Sequence, residues 1–247
     1  MFEINPFAAL SASISPAVMQ TYVVVMAVLV VAGTLFDIVH KGSARYFFDN
    51  WRKSKGKQVG GGELAAIAVK TAVVDVLASG EFCNARRRIA HLLTMYGFVL
   101  HVVATVVMVF NASAASIWPQ LWWLGGAMVL VGGYWFWFFI RVDVAAEGNS
   151  PFRVMQADLF VLSLLASVTL GLLWAWLQAW ILFGLYILAT TVLFGSVPWS
   201  KFAHMFFKPA AAFEKRVSYA NGTRSNLPAP VDKPEQFGRI PKHARHY

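Results

Sequence analysis

The feature that most constrains this chain is a series of five apolar stretches, each about as long as a helix that crosses a bilayer. A hydrocarbon core of about 30 Å takes roughly 20 helical residues. The sequence therefore predicts an all-α membrane protein, a bundle of five transmembrane helices. The stretches run from Ala17 to Val39, Ile89 to Phe110, Pro119 to Ile140, Asp158 to Trp176 and Trp180 to Pro198.

The basic residues predict which way these helices run. All 21 Lys and Arg residues lie in alternate connections: after the first stretch, between the third and fourth, and after the fifth. Because cytoplasmic segments collect Lys and Arg, we expect a multi-pass protein of the cell inner membrane, with its N-terminus outside and its C-terminus cytoplasmic. The net charge of +9, placed beside the apolar stretches, favours anionic lipid as a partner and argues against nucleic acid.

The chain divides into three predicted regions. Residues 1–16 form an outside segment, 17–204 the five-helix membrane domain, and 205–247 a basic cytoplasmic tail. Within the membrane domain, the long connection 40–88 contains a segment that we expect to lie as a helix along the cytoplasmic interface. After Pro209 we expect an extended arm that docks a soluble protein. The apolar face of the interfacial segment comprises Leu64, Ile67, Thr71, Val74 and Ala78.

Motifs that carry catalysis are absent from the sequence. Cys83 is the single cysteine, which excludes a cysteine-ligated iron–sulfur cluster or a zinc finger built from this chain alone. The sequence also contains no phosphate-binding loop, dinucleotide fingerprint or zinc-protease motif. We therefore expect a non-catalytic subunit.

Three of the six histidines are candidates for binding a cofactor. His91 lies just inside the second stretch, and His204 follows the fifth stretch on the same side. Because these two lie at matching depth on different helices, they could ligate one haem iron from opposite faces. His101 lies about 15 Å deeper than His91 along the helix axis, with no histidine at its own depth. The ligands therefore predict one haem.

Each of these polar residues also has a simpler interpretation. A histidine that follows an arginine cluster, as His91 does, often contacts lipid headgroups, and His40 is best explained as interfacial. His101 could be a bundle histidine bonded to Thr105 or to a helix carbonyl. Asp37, near the inner end of the first helix, could pair with a nearby basic residue, and Asp158, at the start of the fourth, could favour the positive end of the helix dipole.

Glycines within the apolar stretches predict close contact between helices. Without a side chain, two helix backbones can approach each other directly in lipid. The same spacing would suit a macrocycle wedged between helices. These glycines are Gly97, Gly125, Gly126, Gly132, Gly133 and Gly171.

These features together resemble a known family. A bundle of five helices whose helix 2 carries two histidines ten residues apart is similar to the gamma subunit of respiratory nitrate reductase. The segments ARRRIAHLLTMYGFVLHVVATVVMVF, ADLFVLSLLASVTLGLL and VPWSKFAHMFFKP are similar to the cytochrome b part of the quinone-interacting membrane-bound oxidoreductase and of heterodisulfide-reductase-type subunits. The resemblance covers about residues 18–216. The stretch GEFCNARRRIAHLL most resembles the membrane anchor found with dissimilatory adenylylsulfate reductase in some sulfur-oxidising bacteria.

The resemblance implies a function in electron transfer. In that family, histidines on helices 2 and 5 hold two b haems that pass electrons between quinone and soluble subunits. Carried over by position, His91 and His204 match the cytoplasmic pair, and His101 matches one ligand of the outer haem. The partner of His101 would lie eighteen residues before His204, where this chain has Tyr186. The implied function is a membrane anchor with one haem b that links a cytoplasmic iron–sulfur flavoprotein, such as adenylylsulfate reductase, to quinone.

Two other functions remain open from the sequence. A haem-free anchor would recruit the same soluble enzyme without carrying electrons, and the tyrosine at position 186 favours it. A small transporter is less favoured, because the stretches lack charged midplane residues and paired broken helices.

Overall fold

The structure, a computed structural model, describes residues 2–40, 49, 52, 57–80, 82, 84–141, 154–200 and 204–223, without the side chains of residues 157, 204, 206 and 207. These ranges contain helices and no strand, so the all-α prediction is confirmed for them. The helices are α1 (Pro6–Leu10), α2 (Pro16–His40), α3 (Gly61–Lys70), α4 (Ala85–Phe110), α5 (Ile117–Trp135), α6 (Leu159–Leu177), α7 (Trp180–Gly195) and α8 (His204–Ala220).

In the described part of the chain, four helices are long and apolar enough to cross a membrane: Pro16–His40, Ala85–Phe110, Ile117–Ile140 and Leu159–Leu177. The third comprises α5 and a wider π-helical end, Phe136–Ile140. This confirms the prediction of an all-helical protein with several membrane helices. The fifth predicted span corresponds to α7, which has 16 residues, fewer than the roughly 20 that usually cross a bilayer.

The apolar helices α2, α4, α5, α6 and α7 run alternately up and down. The Tyr22 hydroxyl of α2 donates to the Ile187 carbonyl of α7 over 3.1 Å, and eleven residues further along α2, Gly33 lies against Val197. Contacts that advance together along both helices show that α2 and α7 are parallel. In the pairs α4–α5, α5–α6 and α6–α7, the contacts move towards the start of one helix as they move towards the end of the other. Each of these pairs is therefore antiparallel.

The glycine prediction is confirmed, most clearly between α4 and α5. A Cβ added to Gly97 would lie 2.7 Å from the Gly125 carbonyl oxygen, and one added to Gly132 would lie 2.6 Å from the Ala90 carbonyl oxygen. The two backbones are therefore in direct contact along both helices. In lipid the hydrophobic effect does not drive helices together, so close van der Waals packing of this kind stabilises the helix pair.

The N-terminal segment closes one end of the bundle, here called the α1 end. The Asn5 amide donates to the Met108 carbonyl over 3.0 Å, and the Gln20 amide donates to the Val109 carbonyl over 3.4 Å. Both carbonyls belong to the last turn of α4, where backbone carbonyls have no hydrogen-bond donor within the helix. Phe7 is buried at the same end. The segment thus donates hydrogen bonds to the last carbonyls of α4 and covers the apolar core there.

The other end, here called the basic end, holds arginines from two connections. Arg86, Arg87 and Arg88 begin α4, and Arg141 follows the π-helical end of α5. The Arg141 guanidinium pairs with Asp158 at the start of α6 and stacks over the Trp137 ring at 4.0 Å. The helix-dipole interpretation of Asp158 did not include this ion pair with Arg141. Lys41, Arg45, Lys53, Lys55, Arg153, Lys201 and the basic residues of 224–247 lie outside the described residues.

Two expectations about the connecting segments need correction. The interfacial segment is not one α-helix, because α3 changes at Thr71 into a π-helical stretch, Thr71–Leu77, which rotates the later side chains relative to the predicted face. The tail is also not extended directly after Pro209. The helix α8 continues through Pro209 to Ala220 despite the hydrogen bond that proline cannot donate.

Substitution of Gly97 by alanine should destabilise the bundle by about 1–3 kcal/mol, because the new methyl group meets the α5 backbone, which cannot give way as a flexible side chain would. The matched control is Gly184→Ala on α7, where an added Cβ meets nothing within 4 Å. Thermal unfolding in detergent, followed by tryptophan fluorescence, compares the two. Equal midpoints for both variants would contradict the close α4–α5 contact.

Candidate functional site

His91 lies at the basic end, against the turn that precedes α4. Its Nδ1 is 3.0 Å from the Ser79 hydroxyl, and its ring centroid is 4.8 Å from that of Phe82. Ser79 is buried and adopts a left-handed backbone conformation, with φ of 49°. When Nδ1 donates to the hydroxyl, Nε2 is the nitrogen with a lone pair that can bind a metal. The His91 residue itself is exposed, so a cofactor can approach it from outside the described core.

The same turn is held by two more side chains of α4. The Arg88 Nε donates to the Ala78 carbonyl over 2.8 Å, and the Tyr96 hydroxyl donates to the Leu77 carbonyl over 2.7 Å. Both carbonyls belong to the end of the π-helical stretch, where helix carbonyls need outside donors. These contacts fix the turn, and with it Ser79, against the α4 face that carries His91.

A cap covers this end of the bundle and consists of α3, the π-helical stretch Thr71–Leu77 and α8. Two nitrogens of the Arg216 guanidinium on α8 donate to the Asp75 carboxylate, over 2.6 and 2.8 Å. These hydrogen bonds raise the pKa of the Arg216 guanidinium. The Lys57 backbone N–H also donates to the Asn221 carbonyl over 2.8 Å. The helix α8 is therefore tied to the segment that supports His91.

His101 lies inside the bundle and is paired with α5. Its Nδ1 is 2.9 Å from the Trp122 carbonyl oxygen, so Nδ1 carries the proton and donates. Its ring stacks on the Trp122 indole with centroids 4.6 Å apart. The Trp122 Nε1 in turn donates to the Thr105 hydroxyl over 2.9 Å, and that hydroxyl donates to the His101 carbonyl. This arrangement matches the simpler interpretation, a bundle histidine bonded to a helix carbonyl.

Tyr186 belongs to an aromatic cluster that fills the α1 half of the bundle and consists of Phe7, Trp122, Trp174 and Tyr186. The Tyr186 ring stacks on Trp174 with centroids 6.0 Å apart. Phe7 lies 5.4 Å from Trp174 and 6.0 Å from Trp122. A Cβ added to Gly171 would lie 3.0 Å from the Tyr186 ring. The position expected for a histidine partner of His101 is therefore occupied by a phenol ring packed onto α6.

The two haem positions differ in how well the described residues fit a b haem, which needs two axial imidazoles on opposite faces. At the α1 end, the cluster fills the space and Tyr186 replaces the second histidine, so the fit fails. At the basic end, the Nδ1 of His91 is bonded to Ser79, the kind of contact that orients metal-binding histidines. His204 begins α8 at this same end, and its side chain lies outside the described part.

The remaining candidates lie near the basic end of α2. His40 is the last residue of α2, is exposed and stacks on Phe36 with centroids 5.2 Å apart. Asp37 is buried, with 2% of its surface exposed. Among the described residues no group of three or more His, Cys, Asp or Glu side chains is arranged to hold a metal ion. A haem held by two histidines needs fewer protein ligands than such a group provides.

Sequence reasoning missed several residues that shape this site. Ser79, Tyr96 and the pair Asp75–Arg216 were not singled out. A signal existed for Asp75, because it and Glu63 are the only acidic residues between positions 63 and 80. No local pattern marks Ser79 or Tyr96, since their roles depend on how the turn before α4 folds back onto that helix.

Comparisons with known proteins give a partial relative. No protein-family model matches the chain, and no solved structure matches it. The citrate utilization protein B of Escherichia coli is 32% identical over 162 residues, which are 61% of this chain and 42% of that protein. The chain thus spans less than half of the length of the curated relative it matches, and it is a weak homologue of part of that protein.

Proposed function

We propose that this chain is the membrane-embedded electron-transfer subunit of a larger oxidoreductase, anchoring a cytoplasmic iron–sulfur flavoprotein and linking it to the quinone pool through one b haem. One observation carries the proposal. The Nδ1 of His91 lies 3.0 Å from the Ser79 hydroxyl, and when Nδ1 donates there Nε2 is left as the ligating nitrogen, at the end of the bundle where His204 begins α8. A haem bound there would supply one-electron transfer between the soluble partner and a membrane quinone.

The proposal includes five membrane spans. Since α7 runs antiparallel to α6 and parallel to α2, it returns the chain from the α1 end to the basic end. With 16 residues it is about 24 Å long, and the turn Ser196–Ser200 extends it towards the interface. The arginines at the start of α4 and after α5 support a cytoplasmic location for the basic end.

The soluble partner would dock on the cap and the basic end. Exposed basic residues there, such as Lys70 and Lys215, suit an acidic surface by electrostatic complementarity. The stretch GEFCNARRRIAHLL favours adenylylsulfate reductase as the partner, with electrons flowing to quinone. The name of the Escherichia coli relative points to citrate utilization instead. The anchoring of a soluble enzyme by the membrane helices does not depend on which of these metabolic settings applies.

The competing function is a haem-free docking anchor. The filled α1 half of the bundle and Tyr186 support it, because a chain without the outer haem cannot carry electrons across the whole bilayer. The contact between His91 and Ser79 favours the electron-transfer subunit, since a docking anchor does not need a buried serine that orients an exposed histidine. The two functions differ in haem content, which can be measured directly.

Single cysteines should locate the two ends of α7 on opposite sides of the membrane. In a chain with Cys83→Ser, Gln178→Cys in the α6–α7 turn should react with a membrane-impermeant maleimide added to spheroplasts. Ala220→Cys at the end of α8 should react only after permeabilisation, because five spans place it inside. Both positions are exposed in the structure. Equal labelling of both in intact spheroplasts would contradict the fifth span.

Alanine at His91 or His204 should remove the b haem, because each provides one of two axial ligands. His101→Ala should retain the haem, since His101 is bonded to the Trp122 carbonyl. His40→Ala is the matched control at the basic end. Pyridine haemochrome content per purified chain measures all four variants. Loss of haem in His101→Ala with retention in His204→Ala would overturn the ligand assignment.

A further inference from the structure

Three oxygen-bearing side chains lie buried where α2 meets the end of α7, near the basic end. Asp37 is 2% exposed and Ser196 is 8% exposed. The hydroxyl oxygens of Thr34 and Ser196 are buried and have no hydrogen-bond partner in the described part of the chain. This seam lies outside both the His91 turn and the aromatic cluster.

The contact between Gly33 and the turn after α7 brings these residues together. A Cβ on Gly33 would lie 2.9 Å from the Val197 Cβ and 3.0 Å from the Pro198 Cδ. Thr34 follows Gly33 directly, and Ser196 precedes Val197. Asp37 lies four residues beyond Gly33 on the buried face of α2, about 6 Å along the helix axis. All three residues therefore flank the contact between α2 and the turn after α7.

Hydroxyls without partners contrast with the other buried hydroxyls of this bundle. Ser167 and Thr190 bond each other over 2.7 Å, and the Ser163 hydroxyl donates to the Leu159 carbonyl over 2.6 Å. An unpaired buried hydroxyl destabilises the fold, so two at one seam indicate a partner that is not part of the described chain.

The surroundings favour a quinone head group over a metal ion. A hard cation takes six or more oxygen ligands, whereas this seam offers a carboxylate and two hydroxyls beside the apolar side chains of Val197 and Pro198. A flat ring with two carbonyl oxygens matches that mixture. The neighbouring face of α2 exposes Leu35, Phe36 and Val39, which gives an isoprenoid tail an apolar route from the bilayer.

We propose that the seam binds the head group of a quinone, with the Thr34 and Ser196 hydroxyls donating to its carbonyl oxygens and Asp37 carrying a proton. This proposal rests on the proposed function. The quinone takes two electrons from the reduced iron–sulfur flavoprotein and two protons from the cytoplasm, and both carbonyls become hydroxyls. Asp37 delivers one of these protons to a quinone oxygen and is reprotonated from the cytoplasm.

Photolabelling with an azidoquinone tests the location of the site in the purified full-length chain. The label should map to peptides that contain residues 33–37 and 196–200. The double variant Thr34→Val/Ser196→Ala should reduce labelling about tenfold, as expected for two lost hydrogen bonds. The matched control Ser167→Ala/Thr190→Val removes a paired couple of hydroxyls and should leave labelling unchanged. Label at other helices, or undiminished label in the first variant, would overturn the site.

Asp37→Asn tests the proton step separately. The variant should keep the quinone label, because asparagine has the same shape, but it should slow the oxidation of the dithionite-reduced chain by decylubiquinone. An unchanged rate would overturn the role of Asp37. Labelling does not require haem. Label at the seam in a chain that contains no haem would therefore contradict the electron-transfer function and support the quinone site. A chain that contains haem but is not labelled at the seam would support the electron-transfer function and contradict the quinone site.

Discussion

The direct backbone contact between α4 and α5 is the interaction on which the rest of this structure depends. Because Gly97 and Gly132 allow the two helices to touch along their length, the His101 ring is placed against Trp122 and its Nδ1 meets a carbonyl of α5. The faces of α4 and α5 that point away from this contact are available to pack against the other helices. It also sets the rotation of α4, and hence the face on which His91 meets the turn at Ser79.

The bundle consequently has two unlike halves. At the α1 end, aromatic rings and the N-terminal helix fill the interior, and the last carbonyls of α4 are satisfied by Asn5 and Gln20. At the basic end, polar groups collect: the His91 turn, the cap tied by Asp75 and Arg216, and the buried seam at Asp37. The proposed electron-transfer subunit would need its chemistry only in the second half.

The sequence predicted the helices well because length and apolarity are properties of single segments. It also predicted the glycine contacts, since small residues have few other uses in apolar helices. It failed at Thr71, where the helix widens, and at Pro209, where α8 stays helical and packs against α3 and the π-helical stretch. Ser79 and the seam at Thr34 and Ser196 could not be predicted, because their meaning comes from segments far apart in the chain.

The haem content of the purified wild-type chain tests the central claim most directly. A reduced-minus-oxidised visible spectrum, combined with pyridine haemochrome quantitation, gives the number of b haems for each polypeptide. One haem is the predicted result, because His91 and His204 are the single proposed ligand pair at the basic end and the Tyr186 ring is packed in the other end. No haem, in a chain produced with haem available, would contradict electron transfer and leave the docking anchor. Two haems would contradict the filled α1 half.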